Sequence, residues 1–272
     1  MVGRPAAAPR VLVSVLAYNS PETTVATLRS LRRQTHPDFH LLLVDNASDE
    51  DSTERVAREF PDLEVRRLTE NRGYTGGVNF ALGLARAEGF DCLLVATHDV
   101  EVEPRALEYL LETAASRPDA GVVGGVEFNV ATGLERASAG GVYSRWFSRL
   151  SWESAPPAGG AGAREVFCVH GALMLLTASA VSAGVRLDEN LFMYFDEVDL
   201  GFRLREKGLR ALVDGRVVFR HNREPETFAP RGRVGRGPRR PSSCPATQAS
   251  AKRARPCKLR TTTFAGSSKS VE

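Results

Sequence analysis

Three short runs of almost unbroken hydrophobicity, "VLVSVLA" from Val11, "FHLLLVD" from Phe39 and "DCLLVAT" from Asp91, each stop at polar residues and are each followed by a segment with helical spacing. A strand that is apolar on both faces has no side to offer to water, so helices must cover the sheet above and below. Strands alternating with helices also imply right-handed crossovers and parallel pairing. The expected class over the first 120 residues is therefore α/β.

The helices carry their own signals. After the first strand, Ser20 suits a cap and Pro21 the first helical position, while Val25, Leu28 and Leu31 recur at helical spacing. The second strand leads through an acidic start into the amphipathic "STERVAREF". "LEVRRL" predicts a weaker third strand, "NRGYTGG" a turn, "VNFALGLARAEG" a helix ending at Gly89, and "PRALEYLLETAASR" a helix opened by Pro104. Further on, "GVVGGVEFN" predicts a strand, and residues 129–163 turn Gly-, Ala- and Ser-rich, which reads as a long mobile excursion. Its two tryptophans, Trp146 and Trp152, either line an acceptor cleft or anchor the loop to the core. "REVFCVHGALMLLTASAV" returns to strand and helix, and "LRALVDGRVVFRHN" predicts a pair of short strands.

Composition limits the partners. With 272 residues, 42% of them hydrophobic, the chain can bury a core. The net charge of +3 conceals a division: residues 229–272 hold 11 Lys/Arg and one acid, leaving 25 basic and 32 acidic residues before them, or about −7 for the body and +10 for the tail. An acidic body argues against a broad nucleic-acid surface. Cys92, Cys168, Cys244 and Cys257 have no paired metal spacing. No segment reaches the roughly 18 apolar residues of a membrane span, and the run Val11 to Ala17 is too short for a secretory signal. The expectation is a cytoplasmic protein, with peripheral contact at the inner face of a membrane left open.

In open α/β sheets ligands sit beyond the carboxyl ends of the strands, which here read Tyr18-Asn19, Asp45-Asn46 and Thr97-His98-Asp99. Asp45 either hydrogen-bonds a ribose or base, or shares with Ser48 the task of capping the next helix. "NRGYTGGVNFAL" has neither the GxGxxG nor the GK[ST] of a phosphate loop. Gly76 and Gly77 permit close backbone approach, and Asn71 and Asn79 fix the loop or contact a ligand. Asp99 offers a hard oxygen where a strand opens into the crevice, suited to Mg²⁺ or Mn²⁺ bridging a diphosphate. Glu101 joins it or, with Glu103, forms a solvated approach to the next helix. His98 and His170 read as hydrogen-bonding core or rim residues, and His221, after the strand "RVVF", either does the same or reaches back to the cation. Finally, "FMYFDEVDLGFRLREKG" sets Asp196, Glu197 and Asp199 inside an apolar run that becomes a helix.

In order, "VSVLAYNS", "LLLVDNASDEDS", "NRGYTGGVNFAL", "LLVATHDVEVEP", "HGALMLL", "LDENLFMYFDEVDLGFRLREKG" and "VVFRH" resemble the inverting family 2 glycosyltransferases, in particular their rhamnosyltransferase-like branch, from about residue 10 to 222. The resemblance implies a GT-A fold: a mostly parallel central sheet with helices on both faces. It implies an extension over residues 1–9 and a catalytic domain over 10–224, split into a nucleotide-sugar half (10–120) and an acceptor half (121–224). A basic tail, 225–272, follows. Tyr18, Asn19 and Asp45 would hold the nucleoside of a UDP- or dTDP-sugar, and Asn71, Gly76 and Asn79 would belong to the donor half. Asp99 would be the metal-binding acid of a DxD-like motif in which Thr97 and His98 replace the first two residues, with His221 a further metal contact. "FDEVDL" resembles the family's EDxDL segment with the first two acids exchanged. Glu197 would be the base that takes the acceptor hydroxyl proton, Asp196 would position that hydroxyl, and Asp199 would cap the helix or pair with Arg203. A saccharide, a lipid-linked saccharide and a natural-product scaffold are all open as acceptors.

The tail, rich in Arg, Pro and Ser, predicts disorder and does not resemble the helical C-terminal region of relatives. It supports one competing expectation, a non-catalytic protein acting through this segment on nucleic acid or membrane. A nucleotidyltransferase is the other, although "AYNSPETT" lacks the basic loop that class requires.

Overall fold

Strand β1 (Val11–Ala17) is buried at every residue, and its side chains alternate between two cores: Leu12 and Leu16 enter one, Val11, Val13 and Val15 the other. Strands β2 (Phe39–Asp45) and β4 (Cys92–Thr97) divide in the same way. This period of two is why their sequences are apolar throughout. The computed structural model describes residues 8–129, 136–144, 146, 149–154 and 162–222. The readings of residues 225–272 lie outside them.

On one face lie helices α1 (Pro21–Arg32), α2 (Glu50–Glu59) and α4 (Ala106–Ser116), contributing Leu28, Leu31, Val56, Leu107 and Leu110 to the core. On the other lie α3 (Gly73–Ala87), α5 (Ala178–Ser182) and α6 (Asp196–Glu206), contributing Val78, Leu82, Val181, Leu200 and Leu204. Strand β3 (Glu64–Arg67) completes a parallel quartet in the order β3-β2-β1-β4. Beyond β4 the sheet becomes mixed. Strand β10 (Leu173–Leu176) runs antiparallel between β4 and β6 (Ala120–Asn129), β11 (Arg210–His221) lies parallel to β6, and the short β5 (Val100–Val102) runs antiparallel along the end of β11.

Helix α1 fixes β5, and with it the turn that carries Asp99. The Thr27 hydroxyl donates to the Val100 carbonyl at 2.7 Å and accepts from its N–H at 3.1 Å, while the Ser30 hydroxyl accepts from Val102 N–H at 3.2 Å.

Four local expectations are corrected. Residues 129–163 are not simply an excursion: β7 (Arg136–Ser144) pairs with β6 and forms an antiparallel hairpin with β8 (Arg149–Ser154), while β9 (Ala163–Val166) pairs with β11. "NRGYTGG" is only partly a turn, because α3 begins at Gly73. Gly77 accordingly serves helix packing: a Cβ there would lie 2.4 Å from Leu16 of β1. The paired short strands near the end are one long strand, β11, with a register shift between Val213 and Val218. Neither Asp45 nor Ser48 caps α2. Asp49 does, its side chain accepting from Ser52 N–H at 2.9 Å.

Candidate functional site

The carboxyl ends of β1 and β4 open into a cleft of about 290 Å³. Of the residues singled out from sequence, Tyr18, Asn71, Asp99, Asp196, Glu197 and His221 line it. Asn19, Asp45, Gly76 and Asn79 do not, and each has a structural occupation. Asp45 is 2% exposed; its carboxylate accepts from Ser48 N–H at 2.9 Å and from the Thr53 hydroxyl at 2.8 Å, bracing the turn into α2. Asn19, at φ 50°, accepts from Asp49 N–H at 2.7 Å, which ties the β1 turn to the same cap. Gly76 lies inside α3 against Arg72. Asn79 spans α3 and the segment before α6, donating to the Leu187 carbonyl at 2.9 Å and to Glu189 at 3.0 Å, and accepting from Leu187 N–H at 3.0 Å.

At the end of β2 it is Asn46 that lines the cleft, not Asp45, the residue expected to hold the nucleoside. The Asn46 amide donates to Asn71 Oδ1 at 2.9 Å and to the Gly73 carbonyl at 3.1 Å, and its oxygen accepts from Arg72 N–H at 3.0 Å. The β2 end is thereby locked to the start of α3.

A chain of acids and imidazoles forms the next wall. Asp99 accepts from the Thr97 hydroxyl at 2.6 Å and lies 3.1 Å from His221 Nε2. His221 Nδ1 meets Glu127 Oε1 at 2.6 Å, Glu127 Oε2 meets His170 Nδ1 at 2.7 Å, and His170 Nε2 meets Ser138 Oγ of β7 at 2.8 Å. The Trp152 ring of β8 stacks on His170, centroids 4.2 Å apart and planes 14° from parallel. The fully exposed Trp146 has no such place. Burial would raise the Asp99 carboxyl, but the His221 hydrogen bond and the charges of His221 and His98 outweigh it and hold the group at about 2. Burial is the largest single influence on Glu127 and would raise it, but the hydrogen bonds and charges of His170 and His221 together outweigh burial and hold the carboxyl well below the usual range, while His221 is raised by Asp99 and Glu127 against its own burial.

Among the described residues no group of three or more His, Cys, Asp or Glu side chains is placed to hold a metal ion. Asp99 and His221 supply two adjacent donors facing the cleft, a set that fits Mg²⁺ or Mn²⁺ when diphosphate oxygens and water complete the shell. Glu101 points outward and accepts from Asn222 at 3.0 Å.

The start of helix α6 also lines the cleft, with Asp196 and Glu197. Asp196 is 5% exposed, and burial, followed by the charge of Glu197, pushes its carboxyl up to about 7. The Tyr74 hydroxyl donates to the Gly171 carbonyl at 2.5 Å; its pKa is raised by burial and by both carboxylates, so it remains a proton donor beside the pair. Asp199 does pair with Arg203, which also meets Asp188 at 3.1 Å. The residues leading into α6 are strained: Phe192, Tyr194 and Phe195 take φ of 53°, 71° and 59°. Met193 and Tyr194 from this segment line the cleft, while Phe195 is 72% exposed.

The model for "Glycosyl transferase family 2" matches residues 13–160. The chain is 27% identical over 219 residues to the N-acetylglucosaminyl-diphospho-decaprenol L-rhamnosyltransferase of Mycobacterium tuberculosis, covering 71% of this chain and 70% of that protein. Among solved structures, GalNAc-T7 with UDP, GalNAc and Mn²⁺ superposes with a TM-score of 0.66 at 14% identity, over 81% of this chain and 45% of that one. The mannosyltransferase PcManGT of Pyrobaculum calidifontis, in complex with GDP-Man and Mn²⁺, gives 0.57 at 18% identity, over 82% of this chain and 60% of that one. The chain thus spans about half the length of these structural neighbours, and at such identities the likeness concerns the fold.

Proposed function

The chain belongs to glycosyl transferase family 2 and has the GT-A fold, and on that premise we propose that it moves a sugar, by inverting single displacement, from a UDP- or dTDP-activated donor to an acceptor hydroxyl. The observation that carries the reading is that one cleft joins the Asp99–His221 pair to the Asp196–Glu197 pair. The first pair suits a cation on a diphosphate, and the second suits removal of a proton from an incoming hydroxyl. The mycobacterial relative, named as an N-acetylglucosaminyl-diphospho-decaprenol L-rhamnosyltransferase, supports rhamnose as the donor sugar and a lipid-linked saccharide as the acceptor.

In this reading Tyr18, Asn46 and Asn71 form the nucleoside side of the cleft, and Asp99 with His221 would hold Mg²⁺ or Mn²⁺. The cation, when bound, supplies Lewis-acid stabilisation of the departing diphosphate. Glu197 takes the acceptor hydroxyl proton as the hydroxyl oxygen attacks the anomeric carbon and the bond to the nucleoside diphosphate breaks. Asp196, beside Glu197 in the cleft lining, positions the acceptor hydroxyl, and the Tyr74 hydroxyl anchors the neighbouring Gly171 carbonyl.

Thermal shift with UDP, dTDP, GDP and ADP, each with and without Mn²⁺ or Mg²⁺, tests the donor side. A nucleotide at about 100 times its dissociation constant adds roughly 2.7 kcal/mol of stability. The expected result is metal-dependent stabilisation by UDP or dTDP that disappears with EDTA or in Asp99→Ala. No stabilisation of a folded sample by any nucleotide would sink the reading.

A further inference from the structure

Glu127 lies outside every motif described above, yet it is buried and held at both oxygens beside the cleft. It is 4% exposed, and its two oxygens each bond a different imidazole, His221 at 2.6 Å and His170 at 2.7 Å. Burying an ionised carboxylate is costly unless its partners compensate, and an apolar side chain would fill the same space without that cost. The two bonds have a specific consequence. Glu127 accepts only, so the nitrogen each imidazole turns toward it must carry a proton. That directs His221 Nε2 toward Asp99 and the cleft, and His170 Nε2 toward Ser138 Oγ of the hairpin. On its far side His170 is covered by Trp152 of β8.

We propose that Glu127 is a positioning residue that orients His221 for the cation and, through His170, ties the β7–β8 hairpin to the same metal pair. The inference rests on the reading of Asp99 and His221 as metal donors. It adds a link between the two halves of the cleft: a displacement of the hairpin at Trp152 is felt at His221 through His170 and Glu127. Carboxylates that orient a ligating histidine in this way commonly change metal affinity 10- to 100-fold when removed.

The test is Mn²⁺ titration followed by electron paramagnetic resonance of the free ion, in the presence of UDP or dTDP, on the full chain and on Glu127→Gln. Glutamine keeps the shape but offers one acceptor oxygen where two imidazole N–H groups need one each. The expected result is Mn²⁺ binding weakened by about 10- to 100-fold, with an unchanged circular dichroism spectrum. Should Glu127→Gln fail to fold, His170→Phe keeps the ring against Trp152 while removing one of the two bonds, and a several-fold loss of Mn²⁺ affinity is expected.

The chain has two tryptophans, so a Trp146→Phe background leaves Trp152 as the sole indole. Its emission should respond to Mg²⁺ with nucleotide, and the response should vanish when Glu127→Gln is added at saturating Mg²⁺. A purely structural role for Glu127 moves neither readout. Mn²⁺ affinity equal to the parent's in folded Glu127→Gln or in His170→Phe, or a Trp152 emission indifferent to Mg²⁺ in the background chain, overturns the proposal alone, provided Asp99→Ala loses the metal. Absence of Mn²⁺ binding by the parent with every nucleotide would overturn the metal reading and this proposal with it.

Discussion

Burial and the neighbouring Glu197 charge lift the Asp196 carboxyl to about 7, which has opposite consequences for activity and for stability. For activity, ionisation of Asp196 sets a second negative charge beside Glu197 and strengthens Glu197 as the base, so kcat/KM should rise with pH through about 7, where Asp196 loses its proton. A flat profile between pH 5.5 and 8.5 would contradict this. For stability, a carboxyl whose folded pKa exceeds its unfolded one binds its proton more tightly when folded, so ionisation opposes folding. The penalty is absent well below pH 4, accumulates between about 4 and 7, and is complete above that, on the order of a few kcal/mol. Asp196→Asn should accordingly show a higher Tm than the parent at pH 8, a difference that shrinks toward pH 4, together with a large loss of kcat. The acids of the site were legible in the sequence because each breaks a local pattern: Asp99 ends an apolar strand, and Asp196 and Glu197 interrupt an apolar run. Asn46 and Glu127 were not. Asn46 stands beside the more conspicuous Asp45, and Glu127 lies within a strand while its two histidines are 43 and 94 residues away.

At the scale of elements, the legible part of the fold was the part whose hydrophobic pattern is local. Strands β1, β2 and β4 are buried on both faces and announce themselves, as do α1, α2 and α4. The β7–β8 hairpin escaped because β7 is rich in Ala, Gly and Ser, which carry no strand-like apolar alternation, and β8 has no fully buried residue, its positions being exposed or half-buried. The start of α3 escaped for a different reason. Gly73 opens that helix at φ +68°, and a Cβ there would lie 2.4 Å from the Phe192 carbonyl oxygen, so the residue reads as turn chemistry although it begins a helix. That contact joins α3 to the strained segment entering α6. Gly73→Ala must pay for a left-handed backbone, about 1–2 kcal/mol, and must also push the Phe192 backbone away. The expected outcome is a Tm lower by several degrees together with reduced kcat, since the displaced segment leads directly into Asp196. Calorimetry and initial rates check both parts; a variant with parental Tm and kcat would show that the two elements move independently.

At the scale of the whole molecule, the site depends on a sheet that changes direction. The parallel quartet brings Tyr18, Asn46 and Asp99 to one edge, and the antiparallel insertion of β10 then allows β11 to end beside β5, which is how His221 arrives opposite Asp99. No local feature of the sequence encodes that meeting. Every described residue falls within one compact unit, Met1–Phe228, and the residues that line the cleft all lie inside it. Residues 229–272 carry 11 Lys/Arg against one acid, whereas the remainder has 25 basic and 32 acidic residues. If catalysis resides in the cleft, removing residues 229–272 should leave metal-dependent stabilisation by UDP or dTDP within experimental error of the full chain. The same deletion should abolish any salt-sensitive binding to vesicles containing anionic lipid, because electrostatic attraction of that kind scales with the number of basic residues near the surface. Glu197→Gln makes the opposite combination: vesicle binding kept, sugar transfer lost. Loss of nucleotide stabilisation on deleting residues 229–272, with Glu197→Gln as active as the parent, would move the function out of the cleft and into the basic segment.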